Sequence, residues 1–125
     1  MEKISDKTVL KIRCYKFSVQ IVKFIGALKI SNTYSPLINQ LLRSATSVGA
    51  NVVEAKSASS KRDFIKYYEI ALKSSNETKY WLCLLRDGLN IEKKIKELLT
   101  EIGEISNMIA SSVIKLKEKE EKNHS

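Results

Sequence analysis

The sequence predicts an all-α chain, an antiparallel up-down four-helix bundle. Three observations predict it. Apolar residues recur at three- and four-residue spacing through four long segments. One proline and four glycines in 125 residues leave too little punctuation for a many-stranded fold. A composition of 43% hydrophobic and 29% charged residues is that of a folded chain, and the length suffices to bury a core without disulfides or metals.

The first helix is expected from Ser5 to Leu28, where Leu10, Cys14, Phe17, Ile21, Phe24 and Leu28 form a core stripe. A second apolar line, Ile12, Tyr15, Val19 and Val22, lies on another side. It either widens the core face or packs against another subunit. Ser31 to Pro36 reads as a loop, with Ser35 capping the second helix and Pro36 in its first turn. That helix is expected from Pro36 to Lys56, with Ile38, Leu41, Leu42, Ala45, Val48 and Val52 facing inward. Ser57 to Ser60 is the next turn, and Ser60 with Asp63 resembles a capping box. The third helix runs from Lys61 to Arg86, with Phe64, Tyr68, Ala71, Ser75, Leu82 and Leu85 near one face. Gly88 is placed to end it and Asn90 to cap the fourth. The fourth has the cleanest seam: Ile95, Leu98, Ile102, Ile105, Ile109, Ser112 and Leu116. Residues 1–120 read as one domain. The charged stretch Lys117 to Ser125 should fray, leaving 121–125 as a tail.

A polar line runs beside the apolar stripe of the second helix: Gln40, Arg43, Ser47, Asn51 and Glu54. Folding that helix back on the third brings Arg43 level with Ser75 to Glu77, so an Arg43–Glu77 ion pair is expected. Small residues, Ser44, Ala45, Ala50, Ala71 and Ser74, would let the two backbones approach closely. The line either fixes helix register through a satisfied polar network or lines a binding surface. The register role is favoured, because polar networks in bundles often specify packing.

The same stretch, Gln40 to Glu54, resembles the signature of the four-helix-bundle proteins encoded in intervening sequences of 23S rRNA genes. Phe64-Ile65, Ile70-Ala71 and Ser74 with Glu77 also match that family's third helix, and the likeness extends from about Leu10 to Ile114. The chain departs from the pattern at Ser44, where alanine is common, at Gly49, often proline, and at Ala55, often glycine. The resemblance implies an up-down bundle that assembles as a ring-like homo-oligomer, a pentamer, with a link to RNA. Distant relatives of the same architecture are basic accessory subunits of a reverse transcriptase.

The parts of a catalytic site are missing. The one histidine, His124, lies in the tail, and no Glu-x-x-His pair or phosphate-cradling glycine loop occurs. Glu54, Glu69 and Glu77 are read as capping, pairing or facing water rather than as an acid–base pair. No catalytic residue, cofactor, metal or small-molecule substrate is therefore expected. Cys14 and Cys83 read as buried thiols of a reducing compartment. The first residues lack a signal-peptide layout, and the apolar run Tyr80 to Leu85 is too short to span a bilayer, so a cytoplasmic protein is expected.

The formal charge of +8 favours acidic partners. Residues 1–35 carry seven basic and two acidic side chains, whereas 92–125 carry seven of each. The nucleic-acid-binding candidates are Lys11, Arg13, Lys16, Lys23, Lys56, Lys61, Arg62 and Lys66, with Lys3 and Lys7 beside them. Tyr67, Tyr68 and Trp81 are the available stacking rings. Ile12, Tyr15, Val19, Val22 and Trp81 are the oligomer-interface candidates. Two functions fit: a module that binds RNA or a ribonucleoprotein through phosphate contacts, or a scaffold whose ring recruits another protein, which the two-faced first helix and Trp81 support.

Overall fold

The computed structural model describes residues 5–124, and Lys3 of the basic cluster lies outside them. These residues form four helices and no strand: α1 (Asp6–Ala27), α2 (Ser35–Ala55), α3 (Lys61–Leu89) and α4 (Ile95–His124), with a short 3-10 turn, Asn32–Tyr34, before α2. Helix packing runs α1 to α2 to α3 to α4 and back to α1. The core therefore sits on the axis of a four-sided arrangement.

Local chemistry explains the helix ends. The Ser5 hydroxyl accepts the Thr8 N–H at 3.2 Å and starts α1. The Ser60 hydroxyl accepts the Asp63 N–H at 3.1 Å and starts α3. The box is not reciprocal, because the Asp63 carboxylate accepts the Ser59 hydroxyl instead. Three expected caps are corrected. Ser35 is already helical, since the 3-10 turn runs straight into α2, and Ser31 caps that turn by accepting the Thr33 N–H at 3.2 Å. Gly88 lies inside α3, which ends instead at Asn90 in the left-handed conformation, φ 57° and ψ 37°, so Asn90 closes α3 and does not cap α4, which starts at Ile95. Asparagine tolerates that region better than other residues with a Cβ.

The seam of α4 is fully buried at Ile95, Leu98, Ile102, Ile105 and Ile109. After Ile109 it steps to Val113 rather than Ser112, because 3.6 residues per turn drift from a strict heptad. All five central residues of the α1 stripe, Leu10 to Phe24, are buried. In α2 the inward set is Leu41, Ser44, Ala45, Val48, Val52 and Ala55, so Leu42 is corrected to an exposed position. In α3, Ile65 is buried and Phe64 only partly so. α4 is helical through 121–124, as its run of lysines and glutamates, good helix formers, allows.

Candidate functional site

The polar line of α2 separates into bonded and unbonded members. Gln40, Arg43, Glu54 and Glu77 are exposed, and the expected Arg43–Glu77 ion pair does not form. Short hydroxyls join the helices instead. Ser47 meets Ser74 at 2.9 Å, and the Thr78 hydroxyl donates to Ser44 at 3.0 Å. Asn51 Nδ2 donates to the Ser47 carbonyl and hydroxyl at 2.8 and 3.0 Å. The Ser106 hydroxyl extends the set to α4 by donating to Ser75 at 2.7 Å. Side chains this short hold the backbones close, which leaves the long Arg43 and Glu77 in water. Thr78 and Ser106, missed by the sequence reading, are buried at core spacing and resemble apolar positions in the pattern.

Arg13, one of the nucleic-acid candidates, bridges α1 and α4. Its Nε donates to Glu101 at 3.0 Å and its Nη2 to the same carboxylate at 2.6 Å and to Glu104. Hydrogen bonds to Glu101, then to Glu104, hold the guanidinium above its ordinary pKa. A charge neutralised twice within the protein has little left for a phosphate.

The other basic candidates divide by place. Lys11, Lys56 and Lys61, with Lys7, line a cavity of about 480 Å3 between the start of α1, the end of α2 and the start of α3. Its floor is Val52, Ala55, Phe64 and Tyr68, and none of its lining residues is acidic. The Lys7 ammonium lies 4.8 Å from the centre of the Phe64 ring, a cation–π contact. Burial pushes the Tyr68 phenol above its ordinary pKa, so it is a neutral O–H donor. Arg62 and Lys66 line a separate groove with Asp63, Glu69, Lys117 and Glu120, where the charge is mixed. Lys16 and Lys23 are exposed on α1, away from both. Lys7 and Phe64 meet across one end of the bundle although α1 and α3 are not packed neighbours, a proximity no spacing in the sequence encodes.

The second apolar line of α1 faces water at Tyr15, 71% exposed, Val22, 54%, and Ile12, while Val19 is half-buried. It therefore does not widen the core. Trp81 is half-buried against the core, edge-on to exposed Tyr80, with a buried indole N–H unpartnered among the described residues. Cys14 and Cys83 are free thiols; Cys14 is buried and Cys83 half-buried. No described helix is long and apolar enough to cross a membrane.

Comparison with known proteins places this geometry. The sequence model of the 23S rRNA-intervening sequence protein family matches residues 7–111. Among solved structures, the chain is similar to a protein of unknown function from the S23 ribosomal protein family of Bacteroides thetaiotaomicron. The two are 36% identical with a TM-score of 0.79, and the match covers 87% of this chain and 98% of that one. No curated protein matches the chain.

Proposed function

The chain belongs to the 23S rRNA-intervening sequence protein family, and from that premise we propose that it is a non-enzymatic, homo-oligomeric module that binds RNA or a ribonucleoprotein. One observation carries the reading. Four lysines, Lys7, Lys11, Lys56 and Lys61, converge on one cavity whose lining holds no carboxylate. Lysines so gathered neutralise successive phosphates and release their counterions, a source of affinity that reads no sequence. The family's name and that of the S23 structure agree with an RNA setting, and with it a cytoplasmic one.

In this reading the helices run up and down, antiparallel. The hydroxyl pairs support it, since rising numbers on α2, Ser44 then Ser47, meet falling numbers on α3, Thr78 then Ser74. The exposed side of α1, Ile12, Tyr15 and Val22, supports self-association, for which a pentameric ring is the expected form. A ring would repeat the basic cavity and raise affinity through multivalency. The same apolar side supports a second reading, a scaffold that recruits another protein without nucleic acid.

Photocrosslinking with 4-thiouridine RNA tests the first reading. Adducts are expected on the peptides carrying Lys7 and Lys11 and on the one from Lys56 to Phe64. Adducts confined to Lys93, Lys94 and Lys96 on α4 would contradict it.

A further inference from the structure

Lysines on any flat face would hold a phosphate backbone, yet this open cavity also has an aromatic floor. Its volume of about 480 Å3 falls within the roughly 300–1,000 Å3 of small-ligand clefts. Phe64 is half-buried, with its ring centre 4.5 Å from that of Tyr68. The Lys7 ammonium over the Phe64 ring is a strongly hydrated group on an exposed residue, so the ring reaches the wet side of the cavity. Tyr68 is 2% exposed, and its hydroxyl has no hydrogen-bond partner among the described residues. A buried hydroxyl ordinarily finds one. The oxygen is not sealed in, because Trp81 Nε1 is the fully enclosed side-chain polar atom left unpartnered among those residues. The opening that Tyr68 lines is this cavity.

We infer that the cavity takes one unstacked nucleotide of single-stranded RNA: the base displaces the Lys7 ammonium from the Phe64 ring and lies against it, the Tyr68 hydroxyl donates to its polar edge, and Lys7, so released, holds the adjoining phosphates with Lys11, Lys56 and Lys61. The inference rests on the RNA reading above and narrows it to single strands. A duplex keeps its bases stacked and cannot deliver one to the floor. An acidic peptide would satisfy the lysines but would leave the floor of Val52, Ala55 and Phe64 without a planar partner. Stacking on an aromatic ring is sequence-tolerant, because every base has a π-face.

Fluorescence anisotropy with the full chain tests it, using a single-stranded RNA and an RNA duplex of equal phosphate number. The wild type is expected to prefer the single strand by about tenfold. Phe64→Leu, with helicity checked by circular dichroism, should weaken single-strand binding about five- to tenfold, leaving duplex affinity and salt dependence unchanged. Tyr68→Phe keeps the ring and should cost about threefold on the single strand alone. It reports independently should Phe64→Leu disturb folding. Equal affinity for both RNAs, unmoved by either substitution but steeply salt-dependent, would overturn the nucleotide pocket and leave the RNA reading standing. An oligoglutamate of equal charge that competes as well as single-stranded RNA would also overturn it. Absence of RNA binding at low salt would remove both.

Discussion

Arg13 and Cys14 sit side by side on α1 and meet opposite environments. The Arg13 side chain is 30% exposed and holds Glu101 and Glu104 of α4. Arg13→Ala removes that clamp and leaves two carboxylates close together, so it should destabilise the fold by about 1–2 kcal/mol in urea denaturation. The Cys14 thiol is buried, and desolvation pushes its pKa up to about 12 from an ordinary 9.0. The neutral thiol is thus favoured in the folded state. Its contribution to stability is fully present below pH 9 and declines as pH rises from there towards 12. A Cys83→Ser variant should therefore react with a disulfide reagent at neutral pH only on unfolding, as followed by thiol titration. Gly49 faces this cysteine. A Cβ at position 49 would come within 3.2 Å of Cys14 Cβ, tighter than ordinary contact, and a Cβ yields only if its own backbone shifts. At Gly103 an added Cβ meets nothing within 4 Å. Gly103→Ala should stabilise α4 by about 1 kcal/mol, the usual helix-propensity gain. Gly49→Ala should lose most or all of that gain to overpacking, and thermal unfolding of the two variants compares them directly.

Among the elements, α4 carries the most regular apolar seam. Its five fully buried seam residues face the bundle axis, so Ile102→Asp places an unpaired charge where no water reaches. The chain should lose its cooperative unfolding transition, and a folded Ile102→Asp protein would show that the seam is misassigned. This seam was readable from sequence because isoleucine and leucine at three–four spacing have one physical use in a helix. The α1 stripe and the Ser5 and Ser60 caps were readable for equally local reasons. The joint between α2 and α3 was not. Serine and threonine serve equally in water, at a cap or across a tight interface, so spacing could not say that Thr78 would meet Ser44. Nor could it say that Arg43 and Glu77 would be held apart by the closeness those hydroxyls create. The candidate site was legible as a basic surplus but not as a cavity. Lys7 and Phe64 are more than fifty positions apart, and only the fold brings them together.

On the scale of the whole molecule, the lysine cavity and the uncovered side of α1 adjoin at Lys11 and have separate tasks in the proposed account. Tyr15→Glu places a charge on the exposed apolar side and touches no core residue. It should lower the assembly's mass in sedimentation velocity while leaving helicity unchanged. An unaltered mass would mean that this side of α1 is not where copies meet. The lysine cavity should respond to salt instead. The direct measurement is the affinity for a short single-stranded RNA across a range of salt concentrations, for the wild type and for Lys7→Gln/Lys56→Gln/Lys61→Gln. The account predicts a slope of log affinity against log salt of roughly −3 for the wild type, set by about four neutralised phosphates, falling to about −1 in the variant. A flat wild-type response, or a steep slope that the three substitutions leave unchanged, would contradict it.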